Sequence, residues 1–357
     1  MTAARWLTRD DLAAAGRSAE GLLFVAPDLS SVFPAGPREA ATGLTGAALR
    51  AAGVGGRDRV VVALAEPAGA LWAAAAADVA RAAAAVGPRG RMRLHHALTA
   101  LGATTLVSTP TGAMDLLARL HLEFLLDPLD LGLEHIVLTG EIASKRTMGH
   151  LAGEFGCAVT EVLASPFSGG ALAYRTAEDA PLTPLADGVL GLASPTKDDR
   201  AGQEAALAEL VVMPSGHPTL GDAVLRTGLV ARADGSELPA PAHTVGDHVL
   251  VRGVWLALPR VEKALSKVDG VTGWELSVER QGTLDAAALT VSFGRESLIR
   301  NPMWRSRIEQ AVRALTPISI DVRIAQDVLE TPVPGTLPGT VDDRRGHHLG
   351  RDRALLS

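Results

Sequence analysis

The spacing of apolar residues changes twice along the 357-residue chain, and the changes divide it into three parts. As far as about residue 186, short apolar runs alternate with longer segments. The runs are "RVVVALAE" (59–66), "TTLVST" (104–109), "HIVLTGE" (135–141) and "AVTEVLAS" (158–165). They are apolar at successive rather than alternate positions, as in strands buried on both faces of a parallel sheet. Helical segments separate them, one beginning at Thr111. The alanine-rich stretch "GALWAAAAADVARAAAAV" (69–86) predicts one buried or half-buried helix, while "FVAPDLSSVFPAGPREA" (24–40) has no period and predicts a loop. From about Asp187 the pattern shortens to "ALAELVVMPS", "AVLRTGLVAR" and "GDHVLVRGVWLAL", which predict an antiparallel region. The last hundred residues begin with an amphipathic helix, Val261, Ala264, Leu265 and Val268 falling on one face. Two strands meeting at Gln281 and Gly282, a second helix and a third strand follow.

These patterns predict an α/β protein in two domains joined by a hinge. The large N-terminal domain (1–246) has mixed, mostly parallel sheets flanked by helices, plus an antiparallel β region. The small C-terminal domain (247–330) is α+β. The tail from Thr331 to Ser357 is rich in Pro, Gly and Arg, and predicts loose order.

Composition narrows the function classes. A content of 47% hydrophobic and 21% charged residues excludes disorder over most of the chain. The net charge of -6 leaves no electrostatic footprint for nucleic acid or an anionic membrane. The N-terminal "MTAARWLTRDD" predicts no export signal, and a single cysteine, Cys157, predicts a reducing cytoplasm with neither an intrachain disulfide nor a Cys-based zinc cluster. Alanine and arginine excess reflects a GC-rich genome. Lysine occurs only at 145, 197, 263 and 267, so a catalytic lysine has few places to stand.

Four stretches, in order, resemble the adenylate-forming superfamily, most of all the phenylacetate-CoA ligases and similar aryl-acid ligases. They are "VLTGEIASKRTMGHLAGEFGCAVTEVLAS", "AELVVMPS" with "VLRTGL", "GDHVLVRGVWLALPRVEKAL" and "GWELSVERQGTLDAAALTVSF". The resemblance runs from about Phe24 to Ala325 and lacks the family's extra N-terminal segment. It implies a nucleotide site at the loop Gly140–Glu141, a hinge at Asp247 and Arg252, and a carboxylic acid or its CoA or phosphopantetheine thioester as ligand. An acyl carrier protein and a second copy of the chain are the partners it implies.

The residues that would handle ATP are nevertheless replaced. The family's phosphate loop overlays "DLSSVFP" (28–34), which keeps the hydroxyls of Ser30 and Ser31 but not the glycines and lysine. The adenine-stacking tyrosine becomes Leu163, the magnesium glutamate Phe167, and the ribose-binding aspartate after Arg-Thr-Gly becomes Leu229. No lysine follows Lys267; Pro338 and Gly339 stand where the catalytic one would be. Losing a magnesium carboxylate or an oriented cation costs about 3 kcal/mol or more of transition-state stabilisation each. The pattern therefore predicts a diverged ligase of bacterial secondary metabolism that has lost ATP- and magnesium-dependent adenylation. Two alternatives remain open: an active acid-CoA ligase with non-standard ATP-site residues, and a non-catalytic binder of acyl thioesters or carrier proteins.

Glu161, His248 and Arg226 are the candidate catalytic groups, Arg226 because a strand-end arginine facing the cleft can hold a carboxylate or phosphate. Ser30, Ser31, Gly140, Glu141, Leu163, Phe167, Arg226 and Leu229 form the expected pocket. Glutamates such as Glu141 and Glu161 are more often solvated, His243 and His248 more often surface histidines, and Leu163, Phe167 and Leu229 more often core. No metal site is expected: His95 and His96 are adjacent on a helix and do not share a face. Cys157 reads as a small core residue, and "DRRGHHLGRDR" (343–353) as a solvated basic tail that could meet a CoA phosphate.

Overall fold

A computed structural model describes residues 4–26, 32–36, 38–88, 90–200, 206–214, 217–233, 237–329 and 337–356. The chain opens with strand β1 (Trp6–Leu7) and helix α1 (Arg9–Gly16). A hairpin of β2 (Leu22–Val25) and β3 (Val32–Gly36) follows, where the sequence predicts a loop. Phe24 pairs with Phe33 across it, and both side chains are buried. Burial of both side chains in one hydrophobic cluster supplies what the Pro- and Ser-rich composition conceals.

After α2 (Arg38–Ala51) come β4 (Arg59–Ala63), α3 (Ala68–Ala77), β5 (Ala82–Ala85), α4 (Arg91–Leu101), β6 (Thr105–Ser108), α5 (Pro110–Arg119), β7 (His135–Thr139), α6 (Thr147–Phe155) and β8 (Ala158–Ala164). With β9 (Ala171–Arg175) and β10 (Thr183–Pro184), these strands form a seven-stranded sheet in the order β10-β9-β8-β7-β6-β4-β5. The five strands from β4 to β8 are parallel, and β9 and β10 antiparallel. Successive residues face opposite cores: Val61, Leu106, Ile136 and Leu138 join one, Val60, Val62, Val107 and Val137 the other. Period-two alternation between two apolar layers is why these strands read as continuous hydrophobic runs.

The predicted single helix over 69–86 is instead α3 and β5. Helix α3 ends at Asp78, and the four alanines of β5 pair in register with Arg59–Val62. Alanine carries no strand signal of its own; the exposed backbone edge of β4 overrides its local preference.

A second sheet runs in the order β1-β13-β12-β11, with β14 (His243–Thr244) also on β13. Its strands are β11 (Leu190–Ala193), β12 (Ala208–Val212) and β13 (Val224–Ala231). All eight residues of β13 are buried. The β15 (His248–Val251) and β16 (Val254–Ala257) hairpin leads to α7 (Leu258–Leu265), β17 (Val271–Gln281), β18 (Leu284–Phe293), α8 (Glu296–Ile299), α9 (Pro302–Arg313) and β19 (Ile320–Ile324).

The last described segment is not loose. Strand β20 (Gly339–Asp343) adds in parallel to β17, giving the small sheet the order β19-β18-β17-β20. Arg345 beyond it is almost fully buried between Asp285 and Asp343. Among the described residues, no helix is long and apolar enough to cross a membrane.

Candidate functional site

Strands β4, β6, β7 and β8 end side by side at the C-terminal end of the large sheet, where open α/β sheets place their ligands. A pocket of ≈ 100 Å³ lies there, closed from above by the β15–β16 hairpin. It gathers Gly140, Glu141, Glu161, Leu163, Phe167, Leu229 and Arg252 from segments far apart in sequence. Leu163, Phe167 and Leu229 are buried in one hydrophobic cluster, so hydrocarbon lines the space where the resemblance implies nucleotide-binding groups. The volume is below the several hundred Å³ typical of pockets for drug-sized ligands.

The hairpin turn explains Arg252. Val251 pairs with Val254, leaving Arg252 and Gly253 as a two-residue turn with φ of 50° and 73°. Two positive φ values are the signature of the primed turn that hairpin twist favours, and glycine suits it while arginine is strained. Gly253 is needed twice over, because a Cβ there would meet the Thr109 methyl at 3.2 Å. The guanidinium Nε of Arg252 donates to the Asp285 carbonyl, anchoring the turn to the small domain.

Glu141 follows Gly140, whose φ of 84° turns the chain at the end of β7. Its carboxyl accepts from the backbone N–H and the hydroxyl of Thr111, at 3.0 and 2.9 Å, across the first turn of α5. Burial raises its pKa to about 7, with Asp285 pushing in the same direction, while the Thr111 bonds and Arg280 pull it down. Near neutrality this carboxyl can give or take a proton.

The other candidates fall elsewhere. Glu161 lines the pocket, but its oxygen is held by two donors of Arg175, a buried ion pair. Arg226, expected at a strand end facing the cleft, sits mid-strand on β13 and does not line the pocket. Its guanidinium is spent on Asp198, Glu209 and two carbonyls, beneath the ring of Trp6. His248 also lies outside the pocket lining; burial and the nearby charge of Arg9 depress its pKa to about 3, so it stays uncharged. His243 bonds the Gly346 carbonyl. Asp247 pairs with Arg351 at the hinge. Cys157 is half-buried and its thiol is pushed up to about 11, too basic for a thiolate nucleophile. Ser30 and Ser31 lie outside the described residues.

One pocket residue has no counterpart in the sequence reading. Arg9, on the first turn of α1, reaches the pocket with its guanidinium carbon 5.6, 5.5 and 5.0 Å from the rings of Phe33, Phe167 and Trp255. It donates to the Pro166 carbonyl at 2.8 Å. A single arginine at the start of a helix carries no local signal of this role.

A second cavity of ≈ 360 Å³ opens between the domains, lined by Ser108, Thr111 and Gly112 on one side and Leu284, Pro317 and Ile318 on the other. Both cavities touch Thr109 and Arg252, so the hairpin turn stands where they meet.

No protein-family model matches the chain, and no curated relative does. Solved structures do. A 2-hydroxyisobutyryl-CoA ligase with 2-HIB-AMP and CoA in the thioesterification state aligns with a TM-score of 0.78 at 14% identity, over 95% of this chain and 80% of that one. The fold is that of the adenylate-forming ligases. Malonyl-CoA ligase with methylmalonyl-CoA and AMP bound (TM-score 0.58, 16% identity, 83% and 68% covered) shares it. So does the amide bond synthetase McbA from Marinactinospora thermotolerans (0.59, 16%, 82% and 62%). Open and postadenylation structures of the 2-hydroxyisobutyryl-CoA ligase score only 0.55 and 0.56.

Proposed function

We propose that the protein binds an acyl thioester across its two cavities and has given up ATP-dependent adenylation. One observation carries the reading: Leu163, Phe167 and Leu229, at the positions where the resemblance to aryl-acid ligases implies nucleotide-binding groups, converge on one pocket and line part of it with hydrocarbon. An apolar slot of ≈ 100 Å³ suits a short acyl chain and offers little to a triphosphate. The inter-domain cavity, meeting that slot at Arg252, has the position required for the CoA or phosphopantetheine arm. Glu141, beside Gly253 where the cavities meet, is the group suited to proton transfer at the thioester end. The higher TM-score against a thioesterification-state structure, 0.78, than against open and postadenylation ones, 0.55 and 0.56, supports the same reading. A cytoplasmic role in bacterial secondary metabolism, with CoA or an acyl carrier protein bearing the acyl group, belongs to this proposal.

Titration calorimetry with ATP-magnesium, CoA and butyryl-CoA tests it, beside pyrophosphate release with a panel of aromatic and short-chain acids. Thioester binding without ATP binding or pyrophosphate release is expected. Pyrophosphate release with any acid would establish the competing reading, an active acid-CoA ligase, and overturn this one.

A further inference from the structure

A third cavity, of ≈ 440 Å³, lies beside the pocket on the side away from Arg252, with Leu12, Leu44, Leu220 and Leu225 in its lining. Four residues, Phe33, Ser165, Phe167 and Ser168, border both spaces. The same elements run from one space into the other. On α1, Arg9 lines the pocket and Leu12, one turn on, lines the cavity; on β13, Leu229 lines the pocket and Leu225 the cavity. Leu12, Phe33, Phe167, Leu225 and Leu229 all belong to one hydrophobic cluster.

A pair of rings stands between the two spaces. Phe33 and Phe167 are 2% and 8% exposed, with their ring centroids 5.4 Å apart and their planes tilted by 59°. Their backbones are held independently of the rings. Phe33 pairs with Phe24 across the β2–β3 hairpin. Phe167 lies in a turn whose amide bonds close on themselves: the Phe167 amide donates to the Ser165 hydroxyl at 3.2 Å, the Gly169 amide to the Ser165 carbonyl at 2.8 Å, and the Ser165 amide to the Gly170 carbonyl at 2.7 Å. Rings fixed in this way in a close-packed cluster do not make room for added methylenes without strain.

We propose that the Phe33–Phe167 pair is an end wall that limits the ligand to short acyl groups, and that the third cavity is a subsite shaped for the tail of a longer chain and closed off by that wall. This rests on the reading that the pocket holds an acyl thioester, and deepens it by setting the length of the acyl group. Phe33 and Phe167 are specificity-determining residues and take no part in bond making.

The test is calorimetric, with butyryl-CoA, octanoyl-CoA and free CoA. Wild-type protein should bind butyryl-CoA at least about tenfold more tightly than octanoyl-CoA, because the added methylenes meet the wall. Phe167→Ala should reverse the order, since each methylene newly buried in hydrocarbon is worth about fourfold in affinity. Adding Leu44→Phe to Phe167→Ala fills the cavity from α2 and should remove the advantage of octanoyl-CoA again, which a general loosening of the pocket would not do. Thermal melts establish that each variant is folded; if Phe167→Ala is not, Phe167→Leu, which keeps most of the hydrocarbon, decides and should reduce the preference for butyryl-CoA by about threefold or more. Octanoyl-CoA bound by wild-type protein as tightly as butyryl-CoA, a preference that no Phe167 variant shifts, or a gain for octanoyl-CoA that survives Leu44→Phe would overturn the wall and leave the thioester reading standing. Failure of both thioesters to bind wild-type protein would overturn the two together.

Discussion

Replacing Leu229 by aspartate restores the carboxylate that the ligase resemblance implies after Arg-Thr-Gly, and the two readings of the site predict opposite results. Leu229 is 4% exposed on β13, packed in a cluster with Leu163 and Phe167, its amide held by the Thr227 hydroxyl at 3.0 Å. Removing a buried leucine's hydrocarbon costs about 2–5 kcal/mol, and burying a polar group without a partner adds about 1–3 kcal/mol. If the pocket has left nucleotide chemistry, Leu229→Asp should therefore destabilise the protein by roughly 3–8 kcal/mol, seen as a melting temperature lower by about 4–10 °C for a chain of this length. The charge-dependent part should grow as pH rises above about 4, the ordinary aspartate value, and vanish below it, because burial raises the folded-state pKa. Differential scanning fluorimetry at several pH values, with and without ATP-magnesium, measures both. If a nucleotide still occupied the site, the aspartate would find ribose hydroxyls. Stability near wild type together with a larger upward shift in ATP would refute the reasoning.

Glu141 has a folded pKa of about 7 against 4.5 for the free side chain, so the folded state holds its proton more tightly. Its contribution is most favourable below pH 4.5 and is lost as pH rises to 7, a fall of order 1–3 kcal/mol that Glu141→Gln should abolish in urea titrations across that range. The side chain of Glu209 is fully buried and serves Arg226, Arg353 and the Gly228 amide. Glu209→Ala should cost about 3–5 kcal/mol in denaturant unfolding, since it leaves the buried Arg226 without its principal counter-charge; a loss under about 1 kcal/mol would contradict that account. Arg252→Asn keeps a residue tolerant of positive φ and should alter stability by no more than about 1 kcal/mol while weakening butyryl-CoA binding. Unchanged affinity would refute a role for Arg252 in holding the thioester.

Legibility followed the range of the interactions. Doubly buried strands and the amphipathic helix α7 declare themselves within a few residues, because the period of their own side chains records the two layers or the single face they meet. Strand β5 could not: four alanines give no period, and only the edge of β4 makes them a strand. The pocket was legible as a set of substitutions in a known order, and Gly140, Glu141, Leu163, Phe167 and Leu229 do converge. Arg226 was misplaced because a strand-end position says nothing of which acids lie beside it, and Asp198 and Glu209 claim its guanidinium. Arg9 was invisible for the opposite reason: its neighbours Phe33, Phe167 and Trp255 come from three distant segments.

The C-terminal segment carries the same lesson into function. Beyond the local pairs of Arg344 with Asp342 and Arg345 with Asp343, its arginines reach distant acids: Arg353 meets Glu209 in the large domain, Arg351 bridges Asp247 and Glu262 at the hinge, and Arg345 is locked to Asp285 in the small domain. Backbone bonds from Thr244 to His347 and from Gly246 to Gly350 run beside them. Exposed ion pairs are worth little, but the Arg353–Glu209 and Arg345–Asp285 pairs each place a carboxylate that is almost fully buried, where loss of a partner is expensive. A segment fastened to β12 through Glu209, to β18 through Asp285 and to the β15–β16 hairpin through the Leu250 carbonyl, which accepts from Arg345, ties the three elements together, and so holds the hairpin turn of Arg252 beside the pocket.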